Sequence, residues 1–104
     1  MITETRKNLI RTLEKFGKEN KDALMASTHR FWDDECECYN DFNEGQFLSY
    51  FSRCLRKRTL SEEEWKKVKM AYKEISRNEE SVVSQEFLNE IMNNLREIYY
   101  SRQN

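Results

Sequence analysis

The sequence predicts an all-α fold: a compact bundle of about five amphipathic helices forming a single domain over residues 1–104. Three observations carry this expectation. Pro is absent and Gly occurs only at positions 17 and 45, so the residues that hairpins and tight turns favour are nearly missing. Strong helix formers (Glu, Lys, Arg, Leu and Met) are plentiful. Apolar residues recur in five segments at steps of three and four rather than alternating.

The first segment runs from Thr3 to Glu19 with the stripe Leu9, Ile10, Leu13 and Phe16, and Gly17 reads as its stop. Asn20 is positioned to cap a second helix. This segment carries Leu24, Phe31 and Cys38 on one line and Met25, Trp32, Cys36 and Tyr39 on the next, a wide apolar face suited to a central helix. A loop is expected over Tyr39 to Gly45, where Asn and Asp can bond nearby backbone. Asn43 with Gln46 then forms a capping-box pattern for a third helix bearing Phe47, Leu48, Phe51, Cys54 and Leu55. Ser61 with Glu64 is the sharpest start signal, opening a fourth helix through Trp65, Val68, Tyr72 and Ile75. The polar stretch Arg77 to Ser81 interrupts the pattern. Ser81 or Ser84 can cap a fifth helix whose face is Phe87, Leu88, Ile91, Leu95 and Ile98, with Met92 and Tyr99 beside it.

Composition narrows the function classes. The 12.7 kDa chain has 36% charged and 38% hydrophobic residues, so its core is small, and thirteen aromatics compensate by burying more area per residue. It lacks a long apolar run, which argues against a membrane span or a signal peptide. Three cysteines in a CxC-plus-one pattern fit small thiols in a soluble, cytoplasmic, reducing setting better than a secreted disulfide framework.

Charge is segregated although the total is only −1. Residues 33 to 44 hold six acids and no base: Asp33, Asp34, Glu35, Glu37, Asp41 and Glu44. Residues 53 to 77 hold nine bases, Arg53, Arg56, Lys57, Arg58, Lys66, Lys67, Lys69, Lys73 and Arg77, against four acids. Lys66, Lys69, Lys73 and Arg77 share one helix surface, on which phosphates or an acidic protein could settle. A nucleic-acid-binding accessory protein using Arg53, Arg56, Lys57, Arg58, Lys66, Lys69, Lys73 and Arg77 is therefore the alternative function. The pI of 5.9 weighs against it.

Metal and catalytic patterns are weaker. Six carboxylates in twelve residues suit calcium as hard oxygen ligands, but a loop starting at Asp33 places Cys38 where the EF-hand needs Gly. In its helix–loop–helix order, in Ser61-Glu-Glu-Glu-Trp65 and in Glu86-Phe87, the chain over about residues 21 to 100 resembles an EF-hand pair. Neither loop keeps the ligand set, so the resemblance implies a degenerate pair with at least one hand that no longer binds calcium. Cys36, Cys38, Cys54 and His29 are zinc-compatible atoms without CxxC or HxxxH spacing. His29 accompanies no GxSxG, HExxH or Cys-His-Asn pattern and reads as packed, surface-exposed or bonded to a carboxylate such as Asp33. No metal, cofactor or catalytic residue is expected.

Phe31, Trp32, Tyr39, Phe42, Phe47, Tyr50 and Phe51 crowd residues 31 to 51, more rings than a small core needs. The expected function is thus a non-enzymatic protein-interaction module, a small regulator or inhibitor that docks on a protein partner. Its contacts would be the anchors Trp32, Tyr39 and Tyr50 with the acids Asp33, Asp34, Glu35 and Glu37, or with the bases Arg56, Lys57, Arg58, Lys66 and Lys69. Opposite charge stretches also make a homodimer conceivable.

Overall fold

A computed structural model describes residues 3–34 and 36–101, and of Phe31 the backbone alone. Helix α1 spans Glu4–Glu19 and is opened by Thr3, whose hydroxyl accepts from the Arg6 amide. Leu9, Ile10 and Leu13 are buried and Phe16 packs at the edge of the core, as the stripe predicts. Gly17 does not stop the helix. The stop is Asn20, which sends both its backbone amide and its side-chain Nδ2 to the Phe16 carbonyl at 3.0 Å. A Gly inside a helix costs about 0.5–1 kcal/mol relative to Ala, and a Cβ at Gly17 would meet no atom within 4 Å. Gly17→Ala is therefore expected to raise stability by ~0.5–1 kcal/mol, read as a higher denaturation midpoint at unchanged slope. A lowered midpoint would contradict the open space.

The predicted long second helix is not there. Helix α2 is confined to Lys21–Ala26, burying Leu24, and the chain then forms strand β1 (Thr28–Asp33) and strand β2 (Cys38–Asn43), paired antiparallel. The all-α expectation is corrected to five helices plus one β-hairpin, and the expected loop over Tyr39 to Gly45 is instead β2 and the start of the next helix. The cause is propensity. The two strand segments THRFWD and CYNDFN contain no Ala, Leu, Met, Lys, Glu or Gln, whereas β-branched and aromatic side chains fit a pleated surface.

Helix α3 (Glu44–Leu55) starts with the expected capping box: Asn43 Oδ1 accepts from the Gln46 amide at 2.8 Å and Gln46 Oε1 accepts from the Asn43 amide at 2.9 Å. It is the central element, touching α1, α2, β2 and the two helices that follow, and Phe47, Leu48, Phe51, Cys54 and Leu55 are all buried. Helix α4 (Glu62–Arg77) buries Trp65, Val68, Ala71 and Ile75, and helix α5 (Gln85–Ser101) buries Leu88, Ile91, Met92, Leu95, Ile98 and Tyr99. Trp65 and Tyr99 stack with centroids 5.0 Å apart and rings 11° from parallel. Ser84 caps α5, its hydroxyl accepting from the Phe87 amide, which leaves Ser81 for another task.

The Ser61 box opening α4 is also present, with Glu64 Oε1 accepting from the Ser61 amide at 2.9 Å while its other oxygen meets the Lys57 ammonium. The Lys57 bond, then the Ser61 backbone, hold the Glu64 carboxyl below its ordinary range. A carboxyl whose folded pKa is depressed contributes stability above its unfolded value and loses it as pH falls through the folded one. Stability of the wild type should thus fall more steeply in acid than that of Glu64→Gln. Parallel acid titrations of the two would contradict that coupling.

Candidate functional site

Strand pairing turns the period of two into two distinct faces. Inward, His29 stands opposite Phe42 and Asp33 opposite Cys38, and Asn40 Nδ2 donates to Asp33 Oδ2 at 2.9 Å. Outward, Trp32 is directly opposite Tyr39 and Arg30 opposite Asp41. The two rings meet edge to face with centroids 5.1 Å apart, although Trp32 remains 51% and Tyr39 60% exposed. The Arg30 guanidinium lies 5.0 Å above the Tyr39 ring and 3.7 Å from Asp41. These two rings are half of the large apolar side chains exposed among the described residues; the others are Met25 and Tyr100.

The tip beyond the aromatic pair is acidic. Asp34 and Glu37 are exposed and Asp33 half-buried, while Glu35 lies outside the described residues. Glu37 has φ 51°, a left-handed conformation in which it reverses the chain. Cys36 and Cys38 are joined by a disulfide across Glu37, so the expectation of thiols is corrected at these two positions. Cys54 alone stays a free thiol, and burial pushes its pKa up, as befits an inert core residue.

The hairpin is fastened to the helices by one buried acid. Glu44, wholly inaccessible at the first turn of α3, accepts from three side chains: His29 Nε2 at 2.8 Å, Asn78 Nδ2 at 2.9 Å and Ser81 Oγ at 2.6 Å. Its backbone amide donates to the Ser27 carbonyl at 3.1 Å. Glu44 therefore ties β1 and the α4–α5 connection to the central helix. His29 takes this partner rather than Asp33. The grouping contains Ser, Glu and His, but the acid stands between the other two, whereas nucleophilic catalysis needs the imidazole between hydroxyl and carboxylate.

Other sequence-predicted residues lie elsewhere. Tyr50 does not join Trp32 and Tyr39; it is half-buried on α3, with the Lys67 ammonium 5.2 Å from its ring centroid and burial raising its phenol pKa. In the basic stretch, Arg53, Arg58, Lys66, Lys69, Lys73 and Arg77 are exposed, while Arg56 pairs with Glu14, Lys57 with Glu64 and Arg77 with Glu74. Among the described residues no group of three or more His, Cys, Asp or Glu is placed to hold a metal, and the Glu44 carboxylate that would close a calcium loop is already engaged. No helix among them is long and apolar enough to cross a membrane. Arg30 and Asp41 were missed by helical reasoning, because only strand register brings them beside the aromatic pair. No family model matches the chain, and neither the curated proteins nor the solved structures yield a significant match.

Proposed function

We propose that the protein is a non-enzymatic interaction module that docks on a protein partner through the outer face and tip of its hairpin. The observation supporting this reading is the pairing of Trp32 with Tyr39, two large rings kept more than half exposed on one rigid strand pair. Trp and Tyr give large contact area at a half-wet boundary and dominate interface energy when a partner covers them. Asp34 and Glu37 beside them supply a charged rim that favours a basic partner surface and speeds encounter. A small regulator or inhibitor acting by occupancy needs no more than this. Tyr50 is left out of the proposed contact.

Charge reversal tests the rim. Partner proteins recovered with the wild type should be lost, or held only at low salt, by the variant carrying Asp34→Lys and Glu37→Lys. Undiminished recovery would refute the acidic surface. Phosphate binding by the Arg53 to Arg77 surface predicts instead an affinity for oligonucleotides that collapses with salt.

A further inference from the structure

A second feature of the chain complements the hairpin. Between α1, α2, α3 and α4 lies an open groove of about 940 Å³, whose accessible apolar floor is Met25 with half-buried Phe42, Tyr50 and Met70, laid over the buried Leu13 and Leu24. Its rim carries four cations, Lys18, Lys21, Arg53 and Lys67, and one acid, Glu14, which is itself tied to Arg56. Among the described residues Lys18, Lys21 and Arg53 make no ion pair. Gly17 lies on the groove wall with open space where a side chain would project, and Met25 in the floor is 55% exposed. The hairpin has the opposite character, with two exposed rings beside Asp34 and Glu37, which are likewise without an ion pair among the described residues.

We infer that the hairpin of one copy inserts into the basic-rimmed groove of a second copy, and reciprocally, to form a closed dimer. This rests on the reading of the hairpin as a docking face and names a second copy of the chain as an occupant of that face. Insertion places Trp32 and Tyr39 over the apolar floor and Asp34 and Glu37 against Lys18, Lys21 and Arg53. It covers three of the four large apolar side chains that the described residues leave exposed, Met25 among them. Two-fold closure makes each contact twice, which matters because one hairpin alone is small beside the interfaces of stable complexes.

The test is a charge exchange read by sedimentation equilibrium. The wild type is expected to be a reversible dimer that dissociates as salt rises. The hairpin variant with Asp34→Lys and Glu37→Lys places bases against a basic rim. The groove variant with Lys18→Glu, Lys21→Glu and Arg53→Glu places acids against an acidic one. Each should associate at least about tenfold more weakly than the wild type, with an unchanged circular-dichroism spectrum because all five positions are exposed. Mixed in equal amounts, the two variants regain attraction at both contacts and should form a heterodimer. A monomeric wild type, a dimer indifferent to both variants, or a mixture that stays monomeric would each overturn the inference. If protein partners are still captured through Trp32 and Tyr39 by a monomer, the docking reading stands and only the second copy is removed.

Discussion

Glu44→Ala is expected to lower stability by about 3 kcal/mol or more, since each donor left unpaired in the interior costs about 1–3 kcal/mol. Three donors lose their acceptor at once, one from buried His29 and two from half-buried Asn78 and Ser81, and the shortened side chain leaves a void. Water entering the void would reduce the penalty without removing it. Glu44→Gln separates hydrogen bonding from volume. Its amide oxygen can still serve His29 and Asn78, while its NH₂ faces Ser81 Oγ, which can turn to accept; a loss of only about 1–2 kcal/mol is expected. Urea denaturation reads both. An Ala variant within about 1 kcal/mol of the wild type would show that the network contributes little and that apolar packing alone holds the hairpin. Amide exchange should also accelerate in β1 and β2 of the Ala variant before it does in α3, because the acid is the polar link between them.

The second large effect concerns binding rather than folding. Trp32→Ala with Tyr39→Ala should weaken partner binding by about a hundredfold or more, since anchors of this type cost about 2 kcal/mol or more each and every 1.4 kcal/mol is tenfold. Melting should change far less. Both rings are on the outward face, so the fold loses chiefly their mutual edge-to-face contact, worth about 0.5–1.5 kcal/mol. Affinity and stability falling together would assign the rings to the fold and not to recognition. The single variants should not sum to the double one, because each ring orients the other.

The helical part of this fold was legible because its signals are local. Both capping boxes are where Asn43–Gln46 and Ser61–Glu64 place them, and the stripes of α1, α3, α4 and α5 are buried except for Phe16, Tyr72 and Phe87, which pack half-buried at the edge of the core. The hairpin was not, although its propensity was in view. Its turn includes Asp34, Cys36 and Glu37, with Glu37 in a left-handed conformation that Gly or Asn usually supplies, so the customary punctuation is missing. Trp32, Cys36 and Tyr39 also fall on one line of a helical wheel, which hid their strand alternation. Exposure survives the change of element: Trp32 and Tyr39, expected to be exposed on a helix, are exposed on strands, where register makes them direct neighbours. Sequence proximity groups Tyr50 with the two rings, whereas in the fold it lies apart from them and lines the groove. The Glu44 network joins residues 29, 44, 78 and 81, separations over which no local pattern speaks.

Hydrogen-exchange footprinting of the protein bound to its partner is the most direct check that the hairpin is the surface of recognition. Slowed exchange is expected to centre on residues 30 to 41 of β1, β2 and their connection, with a free-state baseline that already protects the paired amides. A footprint confined to Lys66 through Arg77, with the hairpin unchanged, would contradict the account.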